Sequence, residues 1–199
     1  MKTAVLVSGG GTNLQAIIDA KVRGEMPNTE IALVLSSNKS AYALERAKTN
    51  GIPTAVVHRR REEDALSYGE RLLKCLKENN IELIALAGFL TILPPNVVSA
   101  YDHRILNIHP SLIPAFSGKG YYGLRVHEEA LKRGVKISGA TVHFVNEIPD
   151  GGEIIAQKAV EVLEGDTPEI LQRRIMEQAE WVIFPRAIEQ VAEGLTRNQ

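Results

Sequence analysis

The sequence is poor in cysteine, in aromatic residues, in long apolar runs and in net charge. Its single cysteine, Cys75, leaves no partner for an intrachain disulfide. Cys75 falls among Leu72, Leu73 and Leu76 at helical spacing, which predicts a buried helical thiol in a reducing compartment rather than a nucleophile. Lysine and arginine total 23 against 24 acidic residues, and the charges are interspersed, so no nucleic-acid surface is expected. The first apolar run, Ala4 to Val7, is too short for a membrane span or a secretion signal and meets glycines at once. The expectation is a cytoplasmic protein with no membrane partner. Aromatics make up only 5%, yet hydrophobic residues reach 44% of 199 residues, enough for one substantial core. The expected organisation is one domain over residues 1–199, without repeats, low-complexity tracts or linkers.

Apolar runs alternate with helical patterns over the first two-thirds of the chain. Strands are predicted at Thr3–Ser8, Ile31–Ser36, Thr54–His58, Leu83–Ala87 and Arg104–Ile108. Helices are predicted around Leu14, Ile17, Ile18 and Val22, then at Tyr42–Thr49, Ala65–Glu78 and Asn96–Ala100. That order is the pattern of an α/β, Rossmann-like open sheet, mostly parallel and flanked by helices. After Gly134 the period changes to two, with Ser138, Ala140, Val142 and Phe144 on one face, then Ile154, Ala156, Val160 and Val162. These are expected to be late antiparallel strands. Thr167 and Pro168 start a C-terminal helix, with Leu171, Ile175, Ala179 and Val182 as its apolar stripe.

Four features can carry chemistry. Ser8, Gly9, Gly10, Gly11, Thr12 and Asn13 form a glycine loop between the first strand and helix, where open amides attract phosphate. A dinucleotide fingerprint would need glycine at Leu14 and an acid near Ser36, Ser37 and Asn38, so NAD is not expected. Asn107 and His109 share one face of a strand end, with Pro110 stopping the ladder and Ser111 entering the loop. An amide beside an imidazole suits a reaction that develops oxygen charge and moves a proton. Asp150, Gly151 and Gly152 form either an ordinary turn or one that brings a carboxylate to His109, raising its pKa. His143 lines the same crevice or meets solvent. The basic run His58, Arg59, Arg60 and Arg61 reads as a solvated loop. His109, His143 and Asp150 have no close-spaced ligand pair, so no metal site is expected.

Taken together, Asn107 to Pro114, Ala87 to Leu90, Gly11 to Asn13, and Val142 to Phe144 followed by Asp150 to Gly152 resemble the phosphoribosylglycinamide formyltransferases. The resemblance spans nearly the whole chain. It implies transfer of a formyl group from 10-formyltetrahydrofolate to glycinamide ribonucleotide in purine synthesis, without a metal. It also implies roles: Gly11, Thr12 and Asn13 for the phosphate, Glu180 for the ribose, and Leu90, Thr91, Ile92 and Leu93, with Asn107, for the folate. Asn107, protonated His109 and Asp150 would be catalytic, with His143 and Ser111 behind them. Ala65, Thr91 and Trp181 stand where relatives carry other residues, and Arg59 to Arg61 could replace the first in holding the folate. The competing readings are a hydrolase of the same folate and a non-catalytic sugar-phosphate-binding protein. Either a monomer or a homodimer fits.

Overall fold

Strand alternation decides how the chain is layered. In the computed structural model, which describes residues 1–197, β1 (Lys2–Val7) sends Ala4 and Leu6 to one face and Val5 and Val7 to the other. All four are fully buried, as a central strand covered on both faces requires. The chain continues through α1 (Thr12–Val22), β2 (Glu30–Ser36), α2 (Tyr42–Thr49), β3 (Thr54–Val56), α3 (Ala65–Glu78), β4 (Leu83–Leu86) and α4 (Pro95–Ala100). It then forms β5 (Ile105–His109), α5 (Leu124–Arg133), β6 (Ile137–Phe144), β7 (Ile154–Glu161), α6 (Pro168–Ile175) and α7 (Trp181–Arg197). The sheet order is β3-β2-β1-β4-β5-β6-β7. The first five strands are parallel, while β6 runs antiparallel to both β5 and β7. The predicted strands are therefore found, with ends shifted by one or two residues.

Two apolar layers cover the sheet. One joins Val5, Val7, Leu106 and Ile108 to α1, α2, α5, α6 and α7. The other joins Ala4, Leu6, Ile84 and Ile105 to α3 and α4 through Tyr68, Leu72, Leu76 and Val97. Each fully buried Leu, Ile or Val side chain stabilises the fold by about 1.5–3 kcal/mol. Cys75 is half-buried on α3, and burial raises its thiol pKa. Among the described residues, no helix is long and apolar enough to cross a membrane.

Three features differ from the sequence expectations. Helix α5 was not anticipated, because its buried face is Val126, His127 and Ala130, and a histidine breaks the apolar period. Val22 is 81% exposed at the end of α1 rather than part of the stripe. The C-terminal helix is interrupted by a π-helical turn at Met176–Glu180, where the Trp181 N–H donates to the Met176 carbonyl five residues back. The extra residue per turn moves the buried stripe from Val182, which is half-buried, to Ile183 and Phe184.

Candidate active site

Because β1 leads to β2 and β3 on one side and β4 leads to β5 on the other, a crevice opens at the carboxyl ends of β1 and β4. Ligands of open α/β sheets bind at such a switch point.

The glycine loop forms one lip. Gly11 caps α1 in the left-handed region, at φ 75°, and supplies no side-chain acceptor. The first amides of α1 are left open to a ligand. A side chain at Gly11 would collide with Ala43 of α2, so glycine is required there for packing as well as for backbone conformation. Asn13 Nδ2 donates to Glu180 Oε2 at 2.6 Å across 167 residues. The π turn ends on Glu180, which is only 6% exposed, and burial pushes its carboxyl pKa up to about 7. A shallow groove of about 330 Å3 runs beside this lip between Thr12, Arg46 and Trp181.

The other lip is a cavity of about 430 Å3 lined by Phe89, Leu90, Thr91, Ile92 and Leu93 on one side and Asn107, His143 and Asp150 on another. Leu93 is buried, whereas Leu90 and Ile92 are exposed at the mouth. Arg59, Arg60 and Arg61 lie in an exposed loop, as expected, with Arg59 Nε donating to the Glu63 carbonyl.

Asn107, His109, His143 and Asp150 come together. The β5–β6 register sets Asn107 opposite His143. Asn107 Nδ2 lies 3.1 Å from His143 Nε2, and His143 Nδ1 lies 2.8 Å from the Phe144 carbonyl. Nδ1 must donate to that carbonyl, so the ring, when neutral, accepts from Asn107 through Nε2. Asp150 Oδ1 is 3.5 Å from the same Nε2, a longer contact that a protonated His143 would take instead. One Asn107 N–H then remains free to face the cavity.

His109 is 4% exposed and is absent from the cavity wall, lying behind Asp150. Its Nε2 donates to the Phe116 carbonyl at 2.8 Å, and its Nδ1 is 3.5 Å from Asp150 Oδ2. The Gly118 N–H also donates to Asp150 Oδ2, at 2.8 Å. Both Phe116 and Asp150, the residues that meet the ring, have positive φ, 50° and 54°. Such backbone costs about 1–3 kcal/mol and persists where the surroundings over-determine it. The glycines after Asp150 permit a tight turn, since a Cβ at Gly152 would collide with the Phe144 carbonyl.

One electrostatic expectation is corrected. Asp150 does raise the His109 pKa, but burial lowers it by more, and the ring sits below its ordinary 6.5. His109 is therefore mainly neutral at pH 7 in the free crevice, with a bare Nδ1 directed at a carboxylate. Burial alone would raise the Asp150 pKa. The neighbouring His143 and His109 rings, whose protonated forms Asp150 favours, and the Gly118 N–H together hold it below the usual carboxylate range. Ser111 is buried and donates to the Ala115 carbonyl, so it holds the loop rather than facing the crevice.

His127 was missed in the sequence. It is fully buried on α5, with neither ring nitrogen partnered among the described residues, and burial pushes its pKa down to about 4. The unfolded chain binds a proton near 6.5 and the folded one does not. This group's contribution is present above pH 6.5 and lost as pH falls from 6.5 toward 4, by about 3 kcal/mol in all. Urea unfolding between pH 7.5 and 4.5 should show a shallower decline in His127→Asn than in the unaltered protein. Equal slopes would contradict this.

The sequence pattern of the formyl transferase family matches residues 1–188. The chain belongs to that family. It is 42% identical over 196 residues to the phosphoribosylglycinamide formyltransferase of Haemophilus influenzae, covering 98% of this chain and 89% of that one. It is 43% identical over 179 residues to the chloroplastic phosphoribosylglycinamide formyltransferase of Arabidopsis thaliana, covering 89% of this chain but only 61% of that longer protein. Among solved structures, glycinamide ribonucleotide transformylase 1 from Symbiobacterium toebii superposes with a TM-score of 0.90 at 42% identity, covering 98% and 88% of the two chains. Among the described residues of this formyl transferase family member, no group of three or more His, Cys, Asp and Glu could hold a metal ion.

Proposed function

We propose that the chain, acting as one domain in the cytoplasm, transfers the formyl group of 10-formyltetrahydrofolate to the amine of glycinamide ribonucleotide, a step of purine synthesis. The observation that carries this reading is the cluster of Asn107, Asp150 and His109, the first two on the wall of a largely apolar cavity, across the crevice from a glycine loop that opens a helix. The apolar walls formed by residues 89–93 suit a flat pterin. The amides of Gly11, Thr12 and Asn13 suit the ribonucleotide phosphate, and Glu180 suits the ribose hydroxyls. The exposed positive charge of Arg59 to Arg61 suits an acidic folate tail. The transfer calls on neither a metal nor NAD.

The chemistry moves one proton and one acyl group. The neutral amine attacks the formyl carbon, giving an oxyanion and a cationic nitrogen. Asn107 donates its free N–H to the oxyanion. The attacking nitrogen, now acidic, gives up a proton, and His109 Nδ1 takes it, through Asp150 or a water. The imidazolium so formed is stabilised by Asp150 at Nδ1 and by the Phe116 carbonyl at Nε2. That proton then passes to the folate nitrogen as the carbon–nitrogen bond breaks, and the formamide and tetrahydrofolate leave. His109 thus acquires its charge during the reaction and need not hold it beforehand.

The direct test follows tetrahydrofolate formation with and without glycinamide ribonucleotide. Formation that depends strictly on the amine is expected. Equal formation without it would identify a hydrolase, and ribonucleotide binding without turnover a sensor. Glu180 yields a separate prediction. Ribose hydroxyls donate best to an ionised carboxylate, so ribonucleotide binding should tighten as pH rises through about 7. Phosphate ionisation adds a similar trend, so calorimetry on Glu180→Gln provides the comparison. The variant should bind about tenfold more weakly at pH 8 and follow a flatter pH course, given one charge-assisted hydrogen bond lost. Matching slopes would exclude Glu180 from the ribonucleotide contact.

A further inference from the structure

Strands β1 and β4 are neighbours, but the chain leaves them toward opposite sides of the sheet, so the loops at their carboxyl ends diverge. The glycine loop follows β1 and the 87–93 segment follows β4. The two proposed substrate subsites therefore occupy opposite lips of the crevice. One side chain crosses between them. Ser8, the first residue after β1, accepts the Leu90 N–H on its Oγ at 2.9 Å and pairs with Ser37 Oγ, just beyond β2, at 2.7 Å.

Three strand ends thus meet on one hydroxyl. By Leu90 the chain has turned out of the sheet at Gly88, φ 75°, and the Leu90 side chain is 66% exposed at the cavity mouth. Packing therefore holds this part of the segment weakly, and the bond to Ser8 fixes its backbone. Ser8 is also bonded directly to Gly9, the start of the phosphate loop.

We propose that Ser8 is a positioning residue that couples the two subsites, holding the folate-binding segment in register with the ribonucleotide loop. The identity of the two ligands rests on the formyl-transfer reading above. A phosphate that orders residues 9–13 orders Ser8, and Ser8 orders Leu90. Linkage makes the effect reciprocal, so each substrate tightens the binding of the other.

The test uses the full chain and two variants, Ser8→Ala and Ser8→Thr. For Ser8→Ala, loss of one hydrogen bond predicts a folate KM raised about five- to tenfold, with kcat changed less than about threefold. The ribonucleotide Kd without folate should stay within about twofold, while the factor by which ribonucleotide tightens folate binding should fall toward one. Ser8→Thr, which keeps the hydroxyl, should restore both. An unchanged folate KM and unchanged coupling in Ser8→Ala would overturn the proposal. So would equal losses in kcat and both affinities that threonine does not rescue, since these mark a general structural defect. Failure of the functional reading looks different: the unaltered protein would then show no ribonucleotide-dependent transfer at all.

Discussion

His109→Ala is expected to lower the single-turnover rate of formyl transfer by at least about a hundredfold, and up to a thousandfold, the usual consequence of deleting the group that takes up and returns the proton in the reaction. The geometry supports a loss of this size. The ring is 4% exposed, so water cannot readily replace it, and its Nδ1 lies 3.5 Å from Asp150. Substrate affinity should change little, because His109 does not form the cavity wall. Circular dichroism and urea unfolding on the same variant check that the fold survives. Near-normal single-turnover transfer would remove His109 from the mechanism.

A loss of similar size, about a hundredfold or more, is expected for Asp150→Asn. This substitution keeps the shape of the side chain, and its amide oxygen can still accept the Gly118 N–H. What disappears is the negative charge facing His109 Nδ1. Because that charge raises the His109 pKa, its removal leaves burial unopposed by it, and the pKa should fall further below 6.5. At any pH near neutrality the variant then stabilises an imidazolium less well. NMR titration of the His109 ring in the two proteins reads this directly. A His109 titration that is unmoved or raised in Asp150→Asn would show that Asp150 acts elsewhere, whatever the rate.

Most of the architecture was legible because strand period and helix period are local properties. Every strand of the sheet follows from runs such as Ala4 to Val7 and Leu83 to Leu86, whose residues alternate between two apolar layers. The pairing of Asn107 with His109 followed from the same period of two. What was not legible depended on contacts distant in sequence. Helix α5 hides behind a buried histidine, whose tolerance in the core the sequence pattern does not announce. The π turn adds one residue that no periodicity signals, and it moves the stripe from Val182 to Ile183. The contact between Asn13 and Glu180 joins residues 167 apart and was not anticipated; the family resemblance implied only separate roles for the two in holding the ribonucleotide. The protonation of His109 was misjudged for a related reason. A carboxylate neighbour can be guessed from a turn motif, but the depth of burial that opposes it requires the packed structure.

The central claim is that this site moves a formyl group between two particular nitrogens. It is tested most directly by following an isotopically labelled formyl carbon from 10-formyltetrahydrofolate in the presence of glycinamide ribonucleotide. The account predicts that the label appears in the ribonucleotide's new formamide, in a one-to-one ratio with tetrahydrofolate released. Label recovered as free formate, at a rate indifferent to the ribonucleotide, would contradict it.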